Sequence, residues 1–275
     1  MPSLFSMPFF PRALVSLCAA GLAFPVLGTF VLNLELIPAR FAVMHAALLG
    51  AALALIFNVN TLAAAMTASL LAGAAIALIS WRGRFSAGGA LGLIMTVCMG
   101  LAFIIFYKGN VHANEAFSLF WGNILTLSLT DVRLIVCVAG AILFFLAAAY
   151  KEIHIVLYDR ELAQAVGVRA KLVYAGIILS VCLGIAVAMR VTGALLVDAF
   201  TLLPALAARR TGGSFKALVV WGGVFGLVMN LGGFALSFAL DLPVSSAVVI
   251  AGAALLALVW RLTVCRASHE KHGNL

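Results

Sequence analysis

Charge is what this sequence has least of. Only 9% of its 275 residues are Asp, Glu, Lys or Arg, where a soluble domain carries about 25%. A water-soluble fold of this length must cover its surface with polar groups, so that class is excluded. Intrinsic disorder, which needs low hydrophobicity, goes with it. Cysteine is sparse too: there are five, of which Cys18, Cys98, Cys137 and Cys182 lie inside apolar runs. No C-x-x-C pair occurs, so neither a disulfide framework nor a thiolate metal site is suggested, and these residues read as small buried hydrophobes. The sequence also has no G-x-x-x-x-G-K-[ST] loop, no H-E-x-x-H and no G-x-S-x-G. A chain without a phosphate-cradling loop does not hydrolyse ATP in the usual manner. It is not expected to be an enzyme, and any ATP energy comes from a partner.

What is present is apolar. Hydrophobic residues make up 65% of the chain and the mean hydropathy is +1.21. A helix needs about 20 apolar residues to cross ~30 Å of hydrocarbon. Windows of that size predict spans at 12–32, 38–57, 60–80, 88–107, 131–150, 171–190, 193–208, 216–239 and 244–262. The seventh is short and abuts the sixth. The expected fold is therefore all-α, a polytopic transmembrane helical bundle with eight or nine spans. The stretch 117–128 (FSLFWGNILTLS) is apolar but too short to cross, and is expected to be re-entrant or interfacial. Residues 13–24 could pass for a signal-peptide core. Only Arg12 precedes them and no cleavage site stands out, so they are expected to remain as a mature span.

The net charge of +8 invites a nucleic-acid reading, but no basic stripe exists. The cations sit in short loops, as in cytoplasmic loops of membrane proteins. With nine crossings and the N-terminus outside, 13 of the 17 cations fall inside and four (Arg12, Lys108, Arg133 and Arg190) outside. The opposite orientation violates the positive-inside rule, so N-out and C-in is expected, with 263–275 as a polar cytoplasmic tail; a re-entrant seventh segment changes that parity. No internal repeat is obvious. Gly222 and Gly226 have helix-packing spacing, a weak signal in a chain this rich in small residues.

Two polar residues stand out inside spans. Asp198 sits midway along 191–210, where an ionised acid facing lipid costs ~2.5–3.5 kcal/mol or more, so it must face protein or a wet cavity. It is a pathway or ion-contact residue, or an acid tying two helices together. His45 lies within FAVMHAALLGAALALIF. Neutral imidazole suits borderline divalent metals. On the span alone, a histidine bonded to a neighbouring carbonyl is the plainer reading. His269 and His272, as H-x-x-H in the tail, read as solvated. The longest charged stretch, 151–171, is predicted to hold a short helix over 159–168 that stops at Gly167. It is either a surface connector or the element that receives push from another protein.

Several segments together resemble the permease subunit of bacterial metal-ion ABC importers, the zinc/manganese/iron uptake family. LGTFVLNLELIPARFAVMHAALLGAAL resembles the family's first loop and second span, with its His-Ala pair followed by Gly. FWGNIL resembles the short segment after the fourth span, and ELAQAVGVR resembles the cytoplasmic coupling helix. GALLVDAFTLLPALAAR and DLPVSSAVVIAGAALLAL resemble a characteristic internal segment and the closing span. The resemblance runs over about 27–258. It implies a single transmembrane permease domain over 1–275 in the bacterial cytoplasmic membrane and a permease homodimer. It also implies a separate ATP-binding subunit, an extracytoplasmic metal-binding protein, no tightly bound cofactor and no nucleic acid.

For residues, the resemblance places His45 at the metal gate and assigns Asp159, Glu161 and Gly167 to coupling with the ATPase. Gly193 and Pro204 bracket the segment expected to flex. The family usually has an Asp four residues before the gate histidine, on the same helical face; here that residue is Phe41. Asp198 is expected to supply the missing charge as a second transient metal contact. Imidazole suits zinc and the lost acid removes a hard oxygen ligand, so zinc is expected, with manganese or iron as alternatives. A permease for a metal chelate or vitamin, or a gradient-driven cation transporter, is the rival expectation.

Overall fold

The structure is a computed structural model that describes residues 9–82, 86–109, 127–192 and 194–272. Among these residues there are helices, turns and bends but no strands. The helices are α1 (Phe9–Asn33), α2 (Ala39–Phe57), α3 (Thr61–Trp81), α4 (Ala87–Gly109), α5 (Leu129–Ala148), α6 (Tyr150–Tyr158), α7 (Arg160–Ala165), α8 (Ala170–Thr192), α9 (Ala194–Thr211), α10 (Phe215–Leu240) and α11 (Val244–His272). Eight of them are long and apolar enough to cross a membrane: α1 to α5, α8, α10 and α11. The exception of similar length is α9, whose 18 residues include Asp198, Arg209 and Arg210. The fold is all-α, as expected. The stretch 117–128 lies almost wholly outside the described residues, and so does Gly193.

The chain forms two compact units. The first comprises Met1–Thr29, Ile124–Ala139 and Leu195–Leu275. Its helices approach through small residues, which in a bilayer replace the missing hydrophobic drive with close van der Waals contact. Gly28 of α1 lies against the Thr201 carbonyl of α9, and Gly226 of α10 lies against the Gly21 carbonyl of α1. Gly222, the partner of Gly226 in the spacing noted above, faces Pro25 on the same helix, so the pair does form a packing seam. Asn230, fully buried, donates from Nδ2 to the Leu17 carbonyl at 2.9 Å, tying α10 to α1. The rings of Phe24 and Phe200 lie 6.3 Å apart across α1 and α9. The last helix keeps a helical backbone through to His272, into the expected tail.

The second unit comprises Phe30–Asn123 and Gly140–Ala194. Its α2–α3 hairpin turns at Asn58, which adopts the left-handed conformation (φ 52°) that Asn tolerates. Asn60 then caps α3 by accepting from the Ala63 amide at 3.0 Å. Leu48, Ala51, Ala52, Ala102 and Phe106 form a buried cluster between α2 and α4. Gly73 of α3 packs on Cys182 of α8, which is buried and free as its apolar setting suggested; Cys18 and Cys98 are only partly buried and Cys137 is exposed, because an apolar helix turns part of its surface outward from the protein.

The stretch 151–171 differs from expectation. It was expected to hold one short helix over 159–168, and it holds two. The chain breaks at Ala149 (φ −117°, ψ 28°) and restarts as α6, a nine-residue helix. Burial of Ile153 and Val156 on one face stabilises it against the unit. The second helix, α7, is shorter than predicted because Asp159 and the residues after Ala165 serve as its caps.

Candidate functional site

His45 sits on α2, partly exposed, with Nδ1 2.7 Å from the Phe41 carbonyl oxygen one turn earlier. A carbonyl only accepts, so Nδ1 carries a proton, which in the neutral tautomer leaves the lone pair on Nε2. The bond to a neighbouring carbonyl that the plainer reading calls for is thus present. It does not remove the ring from coordination chemistry. Metal-binding histidines commonly donate their second ring nitrogen to a carbonyl, which fixes tautomer and orientation. Phe41 is 42% exposed, and the Arg40 guanidinium lies 4.4 Å over its ring centroid. The position four residues before the imidazole therefore presents an aromatic ring topped by a cation.

Asp198 is partly buried on α9, between the buried residues Val197 and Ala199. It belongs to the first unit and His45 to the second. Pro204, one and a half turns further along α9, is buried within the continuous helix. Among the described residues no three His, Cys, Asp or Glu side chains gather closely enough to hold an ion.

The three residues expected to couple lie in α7 or at its two ends. Asp159 ends α6 and begins α7: its amide donates to the Ile155 carbonyl at 2.9 Å. Its Oδ1 accepts from the amides of Glu161 at 2.8 Å and Leu162 at 3.0 Å. Glu161 places an acid in the first turn, where the helix dipole favours it. The other end is a Schellman cap. The Gly167 amide donates to the Gln164 carbonyl and the Val168 amide to the Ala163 carbonyl, both at 3.0 Å. This cap requires a left-handed residue, and Gly167 has φ +81°. With both ends fixed, α7 buries Ala163 and leaves Leu162 (47%) exposed, flanked by the exposed Val166 (60%) at its C-cap and Tyr158 (82%) at the end of α6.

Beside α7 lies a cavity of about 740 Å³ lined by residues 33–35, by Ser80, Ser86 and Gly88, and by residues 156–161. These are the loops that the cation count assigns to one side of the membrane, and they do share one end of the second unit. Sequence reasoning missed the buried Tyr174 next to this cavity. A single tyrosine in an apolar window carries no spacing signal.

Comparison with known proteins agrees with this architecture. The ABC 3 transport family matches over residues 6–263. The manganese transport system membrane protein MntC of Listeria monocytogenes is 23% identical over 91% of this chain and 89% of its own length. The high-affinity zinc uptake system membrane protein ZnuB of Haemophilus influenzae is 28% identical over 90% of this chain and 95% of its own. In fold, the chain superposes on PsaBC from Streptococcus pneumoniae, solved in complex with Fab, with a TM-score of 0.77. That alignment covers 94% of this chain and 93% of the other at 23% identity. Eight helices among the described residues that are long and apolar enough to cross a membrane, together with the family match over residues 6–263, make this chain a multi-pass bacterial inner-membrane protein that belongs to the ABC 3 transport family, the permease family of metal-ion ABC importers.

Proposed function

We propose that the chain is the permease of an ATP-driven importer of divalent metal ions, with zinc as its preferred cargo. Two copies form the pathway, a separate ATPase drives it, and an extracytoplasmic binding protein delivers the ion. The observation that carries this reading is His45, a partly exposed imidazole on a membrane helix with Nδ1 anchored and the Nε2 lone pair left over. Imidazole without a carboxylate beside it favours zinc over the harder manganese. The relatives named for manganese and for zinc are consistent with either metal, so the ligand chemistry is what tips the choice.

The mechanism follows from the residues. A divalent ion entering a low-dielectric lane loses hydration and must gain ligands as it goes. Paired His45 rings from two chains give a weak nitrogen site, and Asp198 lowers the cost of the ion's charge. On the inner side, the exposed apolar face of α7 docks on the ATPase, whose closure presses on α7. Pro204 removes one backbone hydrogen bond from α9, which makes that helix the natural place to bend.

Co-purification in detergent tests the docking. The ATPase should stay with the wild-type chain and be lost, by about tenfold or more, when the doubly substituted Leu162→Glu, Val166→Glu chain is used, since each change puts a charge where apolar surface is buried. Transport driven by an ion gradient without any ATPase would instead favour the gradient-driven reading.

A further inference from the structure

Tyr174 of α8 is fully buried, yet it joins three elements of the second unit. Its hydroxyl lies 2.9 Å from Ser80 Oγ near the end of α3. Ser80 Oγ also lies 2.6 Å from the Ile76 carbonyl, which only accepts. Ser80 has one proton and donates it there, so Tyr174 is the donor to Ser80. The opposite contact is to the ring itself: the guanidinium of Arg160, the first residue of α7, sits 4.1 Å from the Tyr174 centroid. Trp81 flanks the same ring, with centroids 5.7 Å apart. Arg160, Tyr174 and Ser80 thus form an unbroken chain of directional contacts from α7 through α8 into α3.

The surroundings make that chain consequential. Ser80, Arg160 and Glu161 also line the 740 Å³ cavity, so open space adjoins the ends of α3 and α7. A cation on a buried ring is held by the ring's quadrupole. A phenol donating inside apolar packing gives up its bond reluctantly, because nothing replaces it. When α7 shifts, Tyr174 shifts with it, or both contacts break.

We propose that the Arg160–Tyr174–Ser80 chain is the strut through which a displacement of α7 reaches α3 and α8. The proposal rests on α7 being the ATPase contact. Tyr174 and Ser80 are positioning residues, since they act through Arg160 and touch neither metal nor nucleotide.

The test uses the permease with its ATPase in proteoliposomes and reads zinc ions delivered per ATP hydrolysed. Tyr174→Phe keeps the ring and removes only the hydroxyl, and Ser80→Ala removes the other half of the same bond. Each should lower the ratio by about three- to tenfold with the ATPase still attached, and the double variant should go no lower than the worse single one. Arg160→Gln should lower the ratio likewise, with Arg160→Lys recovering part of it through its retained charge. A wild-type ratio in Tyr174→Phe, or losses that add in the double variant, would overturn the strut. The Leu162→Glu, Val166→Glu chain separates the two levels. If it keeps its ATPase, the docking reading fails and takes the strut with it; if it loses the ATPase while Tyr174→Phe retains the wild-type ratio, the strut alone fails.

Discussion

His45→Ala is expected to cut metal uptake by about 10- to 100-fold, a loss at least equal to that seen when only the support of a metal-binding histidine is removed. The ring is held by one bond, from Nδ1 to the Phe41 carbonyl, so its loss leaves the helix intact. Alanine keeps the helix propensity of the site, and protein levels should not change. On the proposed pathway, what disappears is the nitrogen that would replace a water on the ion. Asp198→Asn should act in the same direction with a smaller effect. It keeps the side chain's size and shape and removes the charge proposed to offset the ion's own, exchanging one acceptor oxygen for an NH2 donor. Uptake rates of isotopic zinc in cells, normalised to protein in the membrane, provide the comparison. If His45→Ala and Asp198→Ala both left uptake at the wild-type rate, the lane would not run past either residue.

The second large effect falls on folding. Gly28→Val should largely abolish the folded protein, because a Cβ at Gly28 would overlap the Thr201 carbonyl and come within 2.8 Å of Ala205 Cβ. The obstacle is backbone on a buried helix, which no rotamer change relieves. Overpacking of this kind costs about 1–3 kcal/mol and more when a rigid element must move. Asp198 lies one turn before Thr201 on α9, so a variant that did fold would carry its acid displaced. Gly232→Val is the control: nothing lies within 4 Å of a Cβ there, and its yield should match wild type. Monodisperse protein recovered after detergent extraction is the readout. Equal recovery of the two variants would show that α1 and α9 are not in the close contact described.

Much of the fold was legible because span length and composition follow directly from the bilayer's thickness. The predicted window 60–80 became α3 at Thr61–Trp81, and 216–239 became α10 at Phe215–Leu240. Gly167 was legible as a stop for the same kind of reason: only a residue free to take φ +81° makes that cap cheaply. The first helix of the 151–171 stretch was not legible. YKEIHIVLY reads as a charged loop until Ala149 breaks the chain and turns Ile153 and Val156 inward. In the candidate site, the carbonyl bond of His45 was expectable from its place in a span. The Phe41 substitution gained meaning only from the family resemblance. The Tyr174–Ser80 bond links residues 94 positions apart, and no periodicity or motif encodes such a pairing.

The most direct measurement is the metal content of cells lacking this chain, grown in metal-poor medium and scored for zinc, manganese and iron. Zinc should fall several-fold while manganese and iron hold. The wild-type gene should restore it, and the His45→Ala gene should not. Unchanged content of all three metals would contradict the account.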